Sequence, residues 1–277
     1  MTSPSRPPAR SSTFCSGAPA DVSTATDLRT VSATRYVTPL REGGSLPGLL
    51  EADDDGLYVV KFRGAGQGSR ALVAEVIAGE LARALGLPIP EQVIVEIDPA
   101  LGVAEPDPEI QELIVASPGQ NLGMDFLPGA ATYSPAADWT PDPALAAEIV
   151  WLDALLTNVD RTPQNPNLLL WHQHLWLIDH GAAIYLQHGG LRPAEHAGRP
   201  FPQIAEHVLL PIADSIVEAD ARLAPRIDRP LLEAIVSLVP EDWFAGAREE
   251  TYVEYLWRRM ESPRGFVEEA ERARTSA

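Results

Sequence analysis

Residues 157–185 read TNVDRTPQNPNLLLWHQHLWLIDHGAAIY, a polar loop followed by two short apolar runs that meet at His172-Gln173. Runs of this length around a short polar turn predict a β-hairpin. A two-residue turn would set Pro166 opposite Asp179, and a three-residue turn would set Asn167 there. Either register brings an asparagine near Asp179, while Asp160 stands at the mouth of the hairpin. Two carboxylates and an amide then share one cleft. Their oxygens are the hard ligands that Mg²⁺ prefers, and phosphoryl transfer needs such a set: one carboxylate for the nucleophile's proton, the rest for the metal.

Nucleotide phosphates also need a cation. The chain has 21 Lys and Arg residues, and Lys61 is the single lysine among them. In a chain so biased to arginine, a lone lysine marks a position that requires a compact ammonium. Lys61 lies in the strand LYVVKF (57–62), whose period of two puts Leu57, Val59 and Lys61 on one face and Tyr58, Val60 and Phe62 on the other. Apolar residues at 72, 73, 76, 77, 81, 84 and 85 then recur at helical spacing until Gly86 and Pro88. Glu75, on that helix, is the carboxylate placed to orient Lys61.

Around these residues the pattern is α+β. From Val31 to Phe62, short strands broken at Gly43-Gly44-Ser45 and Asp53–Gly56 predict an antiparallel meander, and 93–97 predicts a further strand. An acidic, proline-containing loop follows, then an extended segment over 120–130 closed by Pro128-Gly129. Pro143 opens a helix that runs to Leu156, and the chain beyond 190 reads as mostly helical with proline breaks. The expected organisation is a β-rich N-lobe over 28–127 and a mostly helical C-lobe over 128–265. Residues 1–27 read as a disordered leader and 266–277 as a C-terminal tail.

Composition bounds the function. With 277 residues, 45% hydrophobic and 22% charged, the chain can bury a sizeable core. No stretch approaches the roughly 18 apolar residues of a membrane helix, and no signal-peptide core is seen, so a cytoplasmic, membrane-free protein is expected. Cys15 is the only cysteine, which excludes an intramolecular disulfide. A net charge of −18 argues against nucleic acid as a partner. The six histidines lack the spacing of a zinc site.

The strand YVVKF, the helix EVIAGELARALGLPIPE, the loop NVDRTPQNPN and the IDHG that follows resemble the HipA-like kinases and, more distantly, the phosphatidylinositol kinases. The resemblance spans about Val31 to Val239 and implies a two-lobed protein-kinase-like fold that uses ATP and Mg²⁺. It implies that Lys61 binds the phosphates and Glu75 partners it. Asp160 is then the catalytic aspartate, Asn165 or Asn167 the metal-binding asparagine, and Asp179 the metal aspartate. Two features depart from ordinary protein kinases: IDHG stands where their phenylalanine-containing triplet would be, and no HRD tripeptide is present.

The turn Gly43, Gly44 and Ser45 is a candidate cover for the phosphates through its backbone amides, whereas the cluster Gly64–Gly68, which lacks the Walker lysine-serine pair, reads as a mobile linker. The backbone of Asp125, Phe126 and Leu127, where a hinge would join the lobes, is the candidate adenine contact. The expected activity is transfer of the γ-phosphoryl group of ATP to a hydroxyl, with protein Ser/Thr preferred over a small molecule as acceptor. The alternatives are a nucleotide-binding pseudokinase or scaffold, and a pyridoxal-phosphate transferase using Lys61 as its Schiff-base lysine.

Overall fold

The computed structural model describes residues 27–40, 46–261 and 263–276. The expected leader, except Asp27, and the turn Gly43-Gly44-Ser45 lie outside the described residues. Five strands, β1 (Thr30–Pro39), β2 (Gly48–Ala52), β3 (Leu57–Lys61), β4 (Gln92–Ile97) and β5 (Gly119–Asp125), close into a barrel in the order β1-β2-β3-β5-β4. Four of its junctions are antiparallel, but β1 and β4 seal it in parallel through Thr30–Ile94, Val31–Val95 and Ser32–Glu96. The meander is therefore only part of the lobe.

Alternation along β3 decides what fills the barrel. Tyr58, Val60 and Phe62 point inward among Val31, Leu50, Val93, Val95 and Ile97, whereas Val59 and Lys61 lie on the half-buried outer face. The stretch after Ile97, expected as a loop, instead forms a 3₁₀ turn (Pro99–Ala104) and helix α2 (Pro108–Val115). Asp98 and Asp107 accept the amides of Ala100 and Glu109, so the prolines that follow them stand at helix starts rather than at breaks. Ile110 and Ile114 of α2 join the barrel core.

Helix α1 (Ser69–Ala84) lies between the barrel and the helical part of the chain, and every residue from Ala71 to Ala82 is buried. A helix buried all round belongs to two layers at once. Its apolar residues merge with those of α3 (Pro143–Leu156) in the larger core. α3 begins as expected: Asp142 accepts the Ala144 amide at 2.8 Å with Pro143 in the first turn, and Thr157 ends it at a φ of 51°.

The hairpin of the deciding stretch is β7 (Leu168–Trp171) and β8 (His174–Leu177), flanked by β6 (Ala131–Thr132) in the order β6-β7-β8. Trp171 pairs with His174 and Leu168 with Leu177. The turn is thus the two-residue form, with His172 and Gln173 both left-handed at φ 51° and 64°, as that turn requires.

Helices α4 (Pro193–His196), α5 (Ile216–Leu223), α6 (Arg229–Val236), α7 (Glu249–Met260) and α8 (Gly265–Ser276) complete the lobe. Residues 266–277, expected as a tail, fall largely within α8, and Phe266, Val267 and Ala270 are buried in the large core. Its charged, low-hydropathy composition hid a narrow apolar stripe that suffices for docking.

Candidate active site

The strand lysine and helix glutamate meet as expected. Lys61 Nζ donates to Glu75 Oε1 and, at 2.6 Å, to Asp179 Oδ1. Glu75 is fully buried, and its Oε2 accepts the His180 amide at 2.9 Å. One glutamate thereby ties the barrel strand, α1 and the segment after β8 together. Burial disfavours the Lys61 ammonium, but the carboxylates of Glu75 and Asp179 outweigh it and hold its pKa above the ordinary value. Burial would likewise lift Asp179, and the Lys61 ammonium keeps it below the usual carboxylate range. A lysine held protonated in this way is poorly suited to Schiff-base formation.

Asp179 sits at a φ of 53°, a left-handed conformation uncommon outside glycine, which aims its carboxylate at Lys61. Gly181 follows closely. A Cβ placed on it would stand 3.1 Å from Glu75 Oε1, so the IDHG glycine leaves room for the ionic cluster.

Across the cleft, Asp160 is held by both asparagines. Asn165 Nδ2 donates to Asp160 Oδ2 at 2.8 Å, and Asn167 Nδ2 donates to the Asp160 carbonyl at 2.7 Å and to Oδ2 at 3.4 Å. Asn167 takes a φ of 49° just before β7, and its carbonyl accepts the Ile178 amide at 3.1 Å, which brings it beside Asp179. Asp160, Asn165, Asn167, Asp179 and Gly181 all line one cavity of about 420 Å³, within the range of small-ligand sites.

Asp153, Asn158, Arg161 and His207 form a unit that sequence spacing does not reveal, and they fix the loop from beneath. Asp153, fully buried on α3, accepts from Arg161 Nε, Asn158 Nδ2 (2.9 Å) and His207 Nε2 (3.0 Å). Arg161 also donates to the carbonyls of Asn167 and Ile178, linking the catalytic-loop candidate to the hairpin. Burial opposes the Asp153 charge, but Arg161 and His207 hold its pKa far below the usual range. The one legible signal was an aspartate inside an otherwise apolar helix, where an unpaired charge is not tolerated.

His207 is buried and accepts the Leu209 amide on Nδ1 at 3.1 Å, which fixes the neutral tautomer with its proton on Nε2. Burial lowers its pKa, and burial also takes that of His180 down to about 3. The unfolded histidines bind protons near pH 6.5 while the folded ones do not, so stability is present at neutral pH and is lost as pH falls below about 6.5. Each such histidine is expected to contribute up to about 1.4 kcal/mol per pH unit. Urea unfolding at pH 7.5 and 5.5 should show this loss, and His207→Gln should flatten it; equal pH slopes in both proteins would refute the assignment.

The adenine and glycine candidates fare differently. The Asp125 and Phe126 amides already donate to the Glu91 and Leu57 carbonyls, and none of Asp125, Phe126 and Leu127 lines the cavity. The Leu127 amide has no backbone partner among the described residues. The Gly64 amide donates to Ser117 Oγ and that of Gly68 to the Ala65 carbonyl, so the cluster is a bonded turn that reaches the cavity through Gln67.

The family model described as HipA-like kinase matches residues 34–263. The chain belongs to the HipA-like kinase family. The solved structures agree on the fold. A Helicobacter pylori proinflammatory kinase, CtkA, superposes with a TM-score of 0.57 at 12% identity, over 90% of this chain and 99% of that one. A Golgi casein kinase superposes at a TM-score of 0.50 and 14% identity, over 90% of this chain and 74% of its own. No curated protein matches the chain. This HipA-like kinase thus has the two-lobed α+β kinase-like fold. No helix among the described residues is long and apolar enough to cross a membrane.

Proposed function

We propose that this chain is an ATP- and Mg²⁺-dependent phosphotransferase that moves the γ-phosphoryl group of ATP to a hydroxyl, with protein serine or threonine as the preferred acceptor. The observation that carries the reading is that Asp179, bonded to Lys61 of the Lys61–Glu75 pair, lines one cavity with Asp160, Asn165 and Asn167. Family membership supports it. In this reading Lys61 neutralises the nucleotide phosphates, and Glu75 keeps its ammonium in place. Asp160 accepts the proton of the attacking hydroxyl, and the Asn165 amide holds one carboxylate oxygen so that the other faces the acceptor.

Among the described residues no three acidic or imidazole groups converge on one point. The donor set that fits a hard cation is Asp179, completed by the amide oxygens of Asn165 and Asn167 and by nucleotide phosphates, as is common for Mg²⁺. When bound, Mg²⁺ would supply positive charge against the phosphate oxygens. Asp179, Asn165 and Asn167 would hold it. The Leu127 amide is the one hinge donor proposed for adenine, and a cytoplasmic site of action is proposed from composition alone.

The deciding experiment is transfer of labelled γ-phosphate from ATP with Mg²⁺, to the protein itself and to a cell extract. Lys61→Arg is expected to lower transfer at least about 100-fold, because a planar guanidinium cannot replace a compact ammonium between Glu75 and Asp179. Unchanged transfer in that variant would remove Lys61 from the mechanism. Tight ATP binding with no transfer by the wild type would favour the pseudokinase.

A further inference from the structure

A second cavity, of about 320 Å³, opens between residues 197–200, the end of α7 and the start of α8. Arg199, Arg258, Arg259 and Arg272 line it, against one carboxylate, Glu269. In a chain of net charge −18 this is a local reversal of sign. Arg258 pairs with Glu254 outside the cavity at 2.6 Å, and Glu269 accepts the Phe201 amide. The side chains of Arg199 and Arg272 have no ion pair or hydrogen bond among the described residues.

Arg259 is the built part of the site. Only 4% exposed, it donates to the carbonyls of Leu155 (2.7 Å), Ala154 (2.8 Å) and Ala197 (2.9 Å), all neutral. Its guanidinium lies 5.3 Å from the centre of the Phe266 ring, which also lines the cavity. Three of the five N–H donors of an arginine are thus used, and no carboxylate pairs with the charge among the described residues. Glu269 across the cavity acts on Arg259 through space without bonding to it, and a buried cation whose direct partners are all neutral oxygens is an unfavourable arrangement unless a further anion completes it. Burial also lowers the Arg259 pKa, whereas Arg29, Arg35, Arg229 and Arg264 are raised by carboxylate partners.

We propose that this cavity binds a phosphate-class dianion, either free inorganic phosphate or a phosphoryl group carried by a protein hydroxyl. A dianion matches the surplus of guanidinium charge better than a single carboxylate does, and planar N–H forks suit its tetrahedral oxygens. The segment that leaves the cleft at Gly181 and His188 arrives at this cavity at Ala197–Pro200, so an occupant would brace its far end.

Titration calorimetry of the full chain tests this without reference to transfer activity. The probes are inorganic phosphate and N-acetyl-phosphoserine amide, each at ionic strength held constant with chloride. Saturable binding is expected, weakened at least tenfold in Arg199→Gln/Arg272→Gln and unchanged in Lys61→Met. Arg272→Gln alone serves if the double variant loses its far-UV circular dichroism. Tighter binding of the phosphoserine probe assigns the site to a protein-borne phosphoryl group, and equal or weaker binding assigns it to free phosphate. Absence of saturable binding, equal affinity in the arginine variants, or loss in Lys61→Met would each overturn the proposal.

Discussion

Replacing Asp160 by alanine is expected to lower phosphoryl transfer by about 10²–10⁴-fold while leaving ATP affinity essentially unchanged. Oδ2 of Asp160 is occupied by the amides of Asn165 and Asn167, and Oδ1 has no hydrogen-bond partner among the described residues. Asp160 lines the same cavity as Asp179. Removing it deletes the proton acceptor but none of the groups assigned to the nucleotide. Steady-state transfer and an equilibrium nucleotide titration on the same preparations check this. Transfer at the wild-type rate would exclude Asp160 as the base, and a parallel loss of ATP affinity would move it to nucleotide binding.

The largest loss of stability is expected at Arg161. It is 1% exposed, and removing it leaves the Asp153 carboxylate buried with only Asn158 and His207 as partners. Breaking a buried pair from one side costs about 3–5 kcal/mol, a large share of the 5–15 kcal/mol that holds a typical domain together. Arg161→Ala should therefore shift the urea midpoint strongly. Replacing both partners, as in Asp153→Leu/Arg161→Met, should cost less than the single change, since no charge is then stranded. A single variant within about 1 kcal/mol of the wild type would show that the pair does not support the loop.

The site was legible where the chemistry demands a residue type in a fixed order. Lys61 and Glu75 lie on a strand and a helix whose local periodicity is strong, and Asp160 and Asp179 lie in the loops that flank the hairpin, whose apolar runs left a two- and a three-residue turn equally open. The parallel seal between β1 and β4 has no such signature, because a pairing between distant strands leaves no period in either. α2 was hidden for another reason: Asp98-Pro99 and Asp107-Pro108 read equally well as turn starts and as capped helix starts. Only the packing of Ile110 and Ile114 under the barrel decides between them. The Asp153–Arg161–His207 network joins residues 54 positions apart, a distance over which sequence spacing carries no information.

The far end of α1 is fastened to the other lobe. Arg226 donates to the carbonyls of Ala84 and Leu85 at 2.9 and 2.7 Å, and the Pro88 carbonyl, three residues on, accepts the Leu177 amide at 2.8 Å. In many protein kinases the corresponding helix pivots outward to switch the lysine–glutamate pair off. Here that end is anchored, so an outward swing of the Glu75 end would turn about a fixed point and would have to break the Arg70–Gln187 carbonyl bond (3.1 Å) and uncover Ala71 to Ala82. On–off control exerted through α1 is thus disfavoured, and the ion pair behaves as a standing fixture.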